Sequence, residues 1–294
     1  MNSDTVINVE RLNVNYDDFH AVKDLTFDVQ RGELYALLGT NGAGKTSTLE
    51  VIEGHRASTS GKVTILGEDP RDRKAVRPRM GIMLQDSGFS ADLSAMETLT
   101  LIGGLTGRKD HPDRVLDVVG LTNKAETRVS ALSGGEKRRL DFATAIYGSP
   151  ELIFLDEPTT GLDVASRDDL WDVVDRLRED GATIVLTTHY LEEAQQRADR
   201  IGLMHEGAFR MQGTVTELTQ TLPGHISFTL NDDAPALPLE SALSGSGRRL
   251  IETHGLQEDL YTLLSWAEST STELHDLDAG PTRLDDVFRS ITRN

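Results

Sequence analysis

From Leu37 to Ser47 the chain reads LLGTNGAGKTS, and its glycines, lysine and hydroxyl fall at the G-x-x-x-x-G-K-[ST] spacing that cradles a triphosphate. Gly39, Gly42 and Gly44 free backbone N–H groups to surround phosphate oxygens, and the helix expected to follow adds its N-terminal dipole. Lys45 then reaches the β- and γ-phosphates and Thr46 offers its hydroxyl to Mg2+, while Asn41, Ala43 and Ser47 complete the nucleotide-contacting loop. A second reactive group lies in LIFLDEP, Leu152 to Pro158. An apolar strand that ends on two adjacent carboxylates needs a partner for the charge, and Mg2+ is such a partner for Asp156. Glu157 lies one residue nearer the γ-phosphate, placed to orient or deprotonate an attacking water. His189 follows Thr187 and Thr188 at the tip of the next apolar strand, from which it can touch the same phosphate.

A third stretch, LSGGEKRRLD from Leu132 to Asp141, opens like a second anion-binding helix. Ser133 supplies a capping hydroxyl, and Gly134 and Gly135 leave bare N–H groups. No lysine is spaced as Lys45 is and no strand precedes it, so it is not a second complete nucleotide site. The economical reading is that it completes another copy's site. Two chains set head to tail would then enclose two ATP molecules with two-fold symmetry.

These residues need a sheet to hold them. Val6–Val14 and Leu25–Val29 alternate as strands do, and Glu33–Leu38 is a short apolar run that ends at a glycine. Val63–Leu66 is a brief strand between turns. From about Asp92 to Asn123 the pattern turns helical, with an apolar stripe in LSAMETLTLIGGL and in HPDRVLDVVGL. Leu152–Leu155 and Thr183–Leu186 are unbroken apolar runs, as strands covered on both faces must be. Between them a helix is expected over 165–180, stopped by Gly181. Strands alternating with helices imply a mostly parallel α/β sheet. Composition breaks near Thr219 to His225. Residues 221–294 hold 5 Arg and no Lys against 12 acidic residues, and are read as a small α+β domain. The expected domains are therefore 1–220 and 221–294.

Composition narrows the function classes. The chain has 294 residues, 37% hydrophobic and 27% charged, which is ordinary for a folded domain with a real core. Without a cysteine there is no disulfide, thiolate metal site or thiol nucleophile. A net charge of −18 argues against general affinity for nucleic acid or anionic lipid. MNSDTVINVE has acids where a signal peptide would have a basic end and then an apolar run, and no apolar stretch approaches the ~20 residues of a membrane-spanning helix. A soluble, cytoplasmic protein is the expectation, free to dock on a membrane protein.

From residue 6 to about 217 the chain resembles the nucleotide-binding subunit of an ABC transporter, with the family's motifs in order. The resemblance identifies Gly39–Thr46 as the Walker A loop, Leu132–Glu136 as the ABC signature, and Leu152–Asp156 as Walker B with Glu157 the catalytic glutamate. It further implies that Tyr16 stacks on adenine, that Gln85 in GIMLQDSGF senses Mg2+ and meets the membrane partner, that Asp163 in TTGLD forms the D-loop, and that His189 is the switch histidine. The implied fold is a P-loop NTPase of RecA type, with a helical subdomain over about 86–145, an antiparallel β subdomain and the C-terminal domain. Two positions depart from the pattern. Glu136 stands for the commoner glutamine and Val164 for a proline, and the extra carboxylate is expected to weaken closure over a triphosphate slightly.

The closing segment TRLDDVFRSITRN resembles the end of exporter ATPases of the daunorubicin-resistance type. That implies a homodimeric ATPase on the inner face of the membrane, coupled through the region near Gln85–Leu105 to a separate permease that exports a drug, lipid or polysaccharide. A soluble ABC ATPase of DNA repair or translation is the alternative from another class. The single uninterrupted cassette, without cysteine or a heptad run, speaks against it. An importer ATPase is disfavoured by the tail. The basic cluster Arg71–Arg79 reads as a solvated face. Lys137, Arg138 and Arg139 steer phosphate or are solvated or paired, and Trp171 and Trp266 read as packing residues.

Overall fold

In the computed structural model, which describes residues 4–84, 88–231, 234–243 and 247–292, the apolar runs become strands at the buried centre of a sheet. The chain divides into two compact units, Met1–Thr214 and Val215–Asn294, upstream of the expected 220/221 boundary. The short helix Val215–Thr219 packs on the terminal helix Leu284–Thr292, which draws it into the second unit.

In the first unit β1 (Thr5–Tyr16) and β2 (Phe19–Gln30) form an antiparallel hairpin turned at Asp17, whose φ of 48° an aspartate tolerates. After β3 (Leu34–Gly39), β4 (Ser60–Ile65) pairs with β1 to give a three-stranded sheet of order β2-β1-β4. The remaining strands are β5 (Met80–Met83), β6 (Leu152–Asp156), β7 (Thr183–Thr187), β8 (Arg200–His205) and β9 (Ala208–Thr214). With β3 they form a six-stranded sheet of order β5-β6-β7-β3-β8-β9, parallel except for β9. Leu152, Ile153, Phe154 and Leu155 of β6 are buried, as are all five residues of β7. Each such aliphatic or aromatic side chain contributes about 1.5–3 kcal/mol when fully buried.

Helices complete the unit. The helix expected over 165–180 spans Val164–Glu179, with Leu170, Trp171, Val173 and Val174 buried, and Gly181 follows it at φ 93°. The region of helical pattern holds Ala95–Thr106 and Pro112–Val118. The signature stretch opens the helix Gly134–Ile146, which packs on β5 and β6. There Gly81 of β5 meets the Ala145 carbonyl so closely that a Cβ would lie 1.9 Å from its oxygen. That contact fixes the signature helix against the sheet edge.

The second unit is a four-stranded antiparallel sheet of order β11-β12-β10-β13, from β10 (Gly224–Thr229), β11 (Ala242–Leu243), β12 (Arg249–Thr253) and β13 (His275–Gly280). Ile226, Phe228 and Ile251 form its core with Leu263 of the helix Leu256–Thr270, and Trp266 packs against them. The closing motif has a structural logic of its own. Thr282 Oγ1 donates to the carbonyls of Leu222 and Pro223, Asp286 accepts from the Arg283 N–H, and Leu284 and Val287 are buried. No helix among the described residues is long and apolar enough to cross a membrane.

Candidate nucleotide-binding site

The phosphate loop leaves the C-terminal end of β3 at the middle of the parallel sheet and runs into the helix Lys45–Ile52. Gly44 is the helix N-cap at φ 96°, and a Cβ there would lie 2.5 Å from the Ala21 carbonyl oxygen. Only glycine makes this turn. No side chain caps the helix, so its first N–H groups await an acceptor from outside. Lys45 Nζ donates to the carbonyls of Gly39 at 2.6 Å and Thr40 at 3.1 Å. Burial lowers its pKa, opposed by the carboxylates of Glu157 and Asp156.

A cleft opens above the loop, lined by Asn41, Gly42, Ala43, Gly44, Lys45, Thr46 and Ser47. Gly39, the last residue of β3, is not among the lining residues. Asp156, Glu157 and Thr187 form the opposite wall, because β7 runs between β6 and β3 and pairs Thr187 beside Asp156. The Thr187 hydroxyl donates to the Asp156 carboxylate. Burial raises the Asp156 pKa, helped by Glu157 and opposed by Thr187, Arg138 and Lys45. A half-buried carboxylate with a threonine hydroxyl in the same cleft is an oxygen donor set that fits Mg2+, which takes one or two protein oxygens and completes its shell with phosphate and water.

Glu157 adopts φ 49°, a left-handed conformation that is costly for a residue with a side chain. Its N–H donates to the Thr187 carbonyl at 2.9 Å. Its Oε2 lies 3.3 Å from His189 Nδ1 and accepts from the Thr160 hydroxyl at 3.3 Å. Glu157 and His189, far apart in sequence, therefore meet at the cleft.

The other predicted residues divide in two. Tyr16 lines the lip, with its hydroxyl donating to Glu50 and paired with Ser47, and with the Arg56 guanidinium 4.0 Å above its ring. Phe19, at the far end of the same turn and 63% exposed, lines the lip as well; the second aromatic of YDDF was the sequence signal for it. Ser133, Gly134, Gly135 and Asp163 do not line this cleft. Ser133 caps its own helix and Asp163 caps Val164–Glu179 by accepting from the Ser166 N–H at 2.8 Å, with Val164 73% exposed behind it. Gln85 lies outside the described residues.

Glu136 turns inward. Its carboxylate accepts from the Ser133 N–H at 2.8 Å while Ser133 Oγ accepts from the Glu136 N–H, and Lys124 Nζ stands 3.0 Å away. The Ser133 amide and then Lys124 hold its pKa down at about 2. The charge expected to oppose a triphosphate is thus engaged in a capping box and an ion pair. Sequence reasoning missed the role of Arg138 and did not name Glu193. Arg138 is buried against backbone carbonyls of the Asp156–Pro158 segment rather than turned to phosphate. Glu193, also buried, accepts from Thr159 at 2.9 Å and Thr188 at 3.3 Å, joining the loops after β6 and β7.

Residues 22–160 match the ABC transporter family model, and residues 224–282 match the ABC transporter domain-containing protein-like, C-terminal domain. The daunorubicin resistance ATP-binding protein DrrA3 of Streptomyces coeruleorubidus is 33% identical over 99% of this chain and 96% of its own length. The chain belongs to the ABC transporter ATP-binding family. The Nod factor export ATP-binding protein I of Ralstonia nicotianae is 34% identical to this ABC protein over 99% of the chain and 94% of its own. A solved ATP-binding subunit of an ABC transporter superposes with a TM-score of 0.70 at 26% identity, covering 74% of this chain and 92% of the other. As a member of the family the chain has the P-loop NTPase fold, binds ATP and is an ATPase.

Proposed function

We propose that this ABC ATPase is the energy-supplying subunit of an exporter and works as a head-to-tail pair, with Gly39–Thr46 of one copy and Ser133–Gly135 of the other closing on the same ATP. One observation carries the reading: the Ser133–Gly135 helix start is open to solvent yet lines no part of its own chain's cleft. Ser133 Oγ accepts from the Glu136 N–H and keeps its own proton to donate to a phosphate oxygen. Gly134 and Gly135 add unpaired N–H groups at the positive end of the helix.

In the proposed site, Lys45 leaves the Gly39 and Thr40 carbonyls for the β- and γ-phosphates, and Tyr16 supports the adenine. Thr46, Asp156 and Gln85 would hold Mg2+, which would offset the phosphate charge. Glu157 takes the proton of the attacking water, and His189, 3.3 Å from its carboxylate, steadies it against the γ-phosphate. Asp163, at the start of its helix beside the signature, faces the second copy.

Export is supported by the closing motif and by the names of the relatives, which are a daunorubicin resistance protein and a Nod factor export protein. The partner would be a membrane permease that holds the chain at the inner face of the membrane and selects a drug, lipid or polysaccharide. Glu157→Gln tests the chemistry. The variant should bind ATP and accumulate as a dimer without turnover; hydrolysis at the wild-type rate would remove Glu157 as the base, and a variant that stays monomeric in saturating MgATP would end the paired-site scheme. A permease should co-purify from detergent-solubilised membranes, and its absence would favour a non-transport role.

A further inference from the structure

We propose that Arg138 is a positioning residue which fastens the hydrolysis centre to the signature helix, so that closure at one nucleotide site of the pair bears on Glu157 of the other. The coupling half of this proposal rests on the head-to-tail reading above; the positioning half does not.

Arg138 sits early in Gly134–Ile146 and is 7% exposed. Its Nη2 donates to the carbonyl oxygens of Asp156 and Glu157, both at 2.6 Å. Nε donates to that of Pro158 at 3.3 Å, and Nη1 to that of Leu84 at 2.9 Å. One planar guanidinium thus gathers four carbonyls from two segments, a fixed fork that an ammonium cannot reproduce. The held segment needs holding. Glu157 has φ 49°, and a strained backbone of that kind persists only where its surroundings impose it. The Glu157 N–H to Thr187 carbonyl bond fastens one side, and Arg138 fastens the other.

The same side chain reaches two further parts. Its helix is a stiff rod that begins at Ser133, so a shift of the Ser133–Gly135 end is carried to the guanidinium. The Leu84 carbonyl immediately precedes Gln85. When Ser133–Gly135 of one copy closes on its partner's triphosphate, the movement therefore reaches the Glu157 peptide of the copy that moved. That Glu157 serves the other ATP.

Arg138→Lys and Arg138→Gln in the full chain test this, with MgATP as the probe. Both folded variants should melt somewhat below wild type, as buried carbonyls lose their donor, and bind ATP within about twofold, because the four bonds above run to main-chain carbonyls. The turnover number of Arg138→Gln should fall at least about tenfold, since several hydrogen bonds to a charged group are lost, and Arg138→Lys should recover part of it. The Hill coefficient for ATP should drop from about 2 toward 1 in both. Folded variants with wild-type turnover would overturn the positioning role. A fall in turnover with the wild-type Hill coefficient retained would overturn the coupling. If the wild-type chain itself neither pairs in ATP nor hydrolyses it cooperatively, the head-to-tail reading fails with the coupling, while the turnover of Arg138→Gln still decides the positioning role.

Discussion

Glu53 follows the helix that starts at the phosphate loop, and it should make the first unit lose stability as pH rises. The residue is 4% exposed, and burial pushes its carboxyl from the ordinary 4.5 to about 8, reinforced by the Asp156 carboxylate and opposed by Arg77. His55 Nε2 stands 3.5 Å away, but burial, followed by Arg77 and Arg73, lowers the His55 pKa. Near neutral pH the contact is therefore between two uncharged groups and not an ion pair. The sign follows from linkage. The unfolded chain ionises this carboxyl near 4.5 and the folded chain near 8, so its contribution is whole below the first value and is lost as pH rises through the second. At about 1.36 kcal/mol per pH unit the full window approaches ~5 kcal/mol, and relaxation around the ionised group reduces the observable effect to about 2–3 kcal/mol. Glu53→Gln keeps the size and removes the titration. Urea unfolding of nucleotide-free protein should be followed through Trp171, with Trp266→Phe silencing the tryptophan of the second unit. Wild type and Glu53→Gln should agree within about 1 kcal/mol at pH 5, and the variant should be more stable by about 2–3 kcal/mol at pH 8.5. Titrating groups remote from Glu53 are common to both proteins and cancel in the difference. Stability curves that run parallel from pH 5 to 8.5 would refute the reasoning.

Two further outcomes test the phosphate loop and the signature. Gly44→Ala should fold but lose ATP binding by at least about a hundredfold, since the new Cβ meets the Ala21 carbonyl at 2.5 Å in a left-handed turn; isothermal titration with near-native affinity would contradict this. Glu136→Gln should change ATP-driven dimerisation by no more than about threefold, because Lys124 and the Ser133 amide already offset the carboxylate and glutamine also closes a capping box. Sedimentation of a hydrolysis-blocked background would detect a larger gain, and a tenfold gain would restore the view that Glu136 opposes closure.

The parts of the site that were legible in the sequence are those whose geometry is local. Gly39 to Thr46 carry their own turn, so spacing alone predicts a loop between strand and helix, and β3 and Lys45–Ile52 flank it. Strands buried on both faces must be unbroken apolar runs, which is why β6 and β7 could be read directly and their neighbouring tips expected to share a site. The inward turn of Glu136 was read wrongly, as a charge opposing the triphosphate, although S-x-x-E is the same capping pattern that Ser94 and Glu97 use. The sheet of the second unit was not legible in detail, since β10 pairs with β12 and β13 from distant parts of the chain and no local signal sets that register. Arg138 and Glu193 were hidden for a related reason. Each is a charged residue in a helix, and its importance comes from what it grips: main-chain carbonyls after β6 in one case, threonine hydroxyls from two loops in the other. A carbonyl oxygen is the same in every residue, so nothing in the letters of Asp156, Glu157 and Pro158 announces that a guanidinium will find them. The groups that do chemistry are spelled out in side chains, while those that hold the chemistry in place act largely through the backbone, and only the folded chain reveals them.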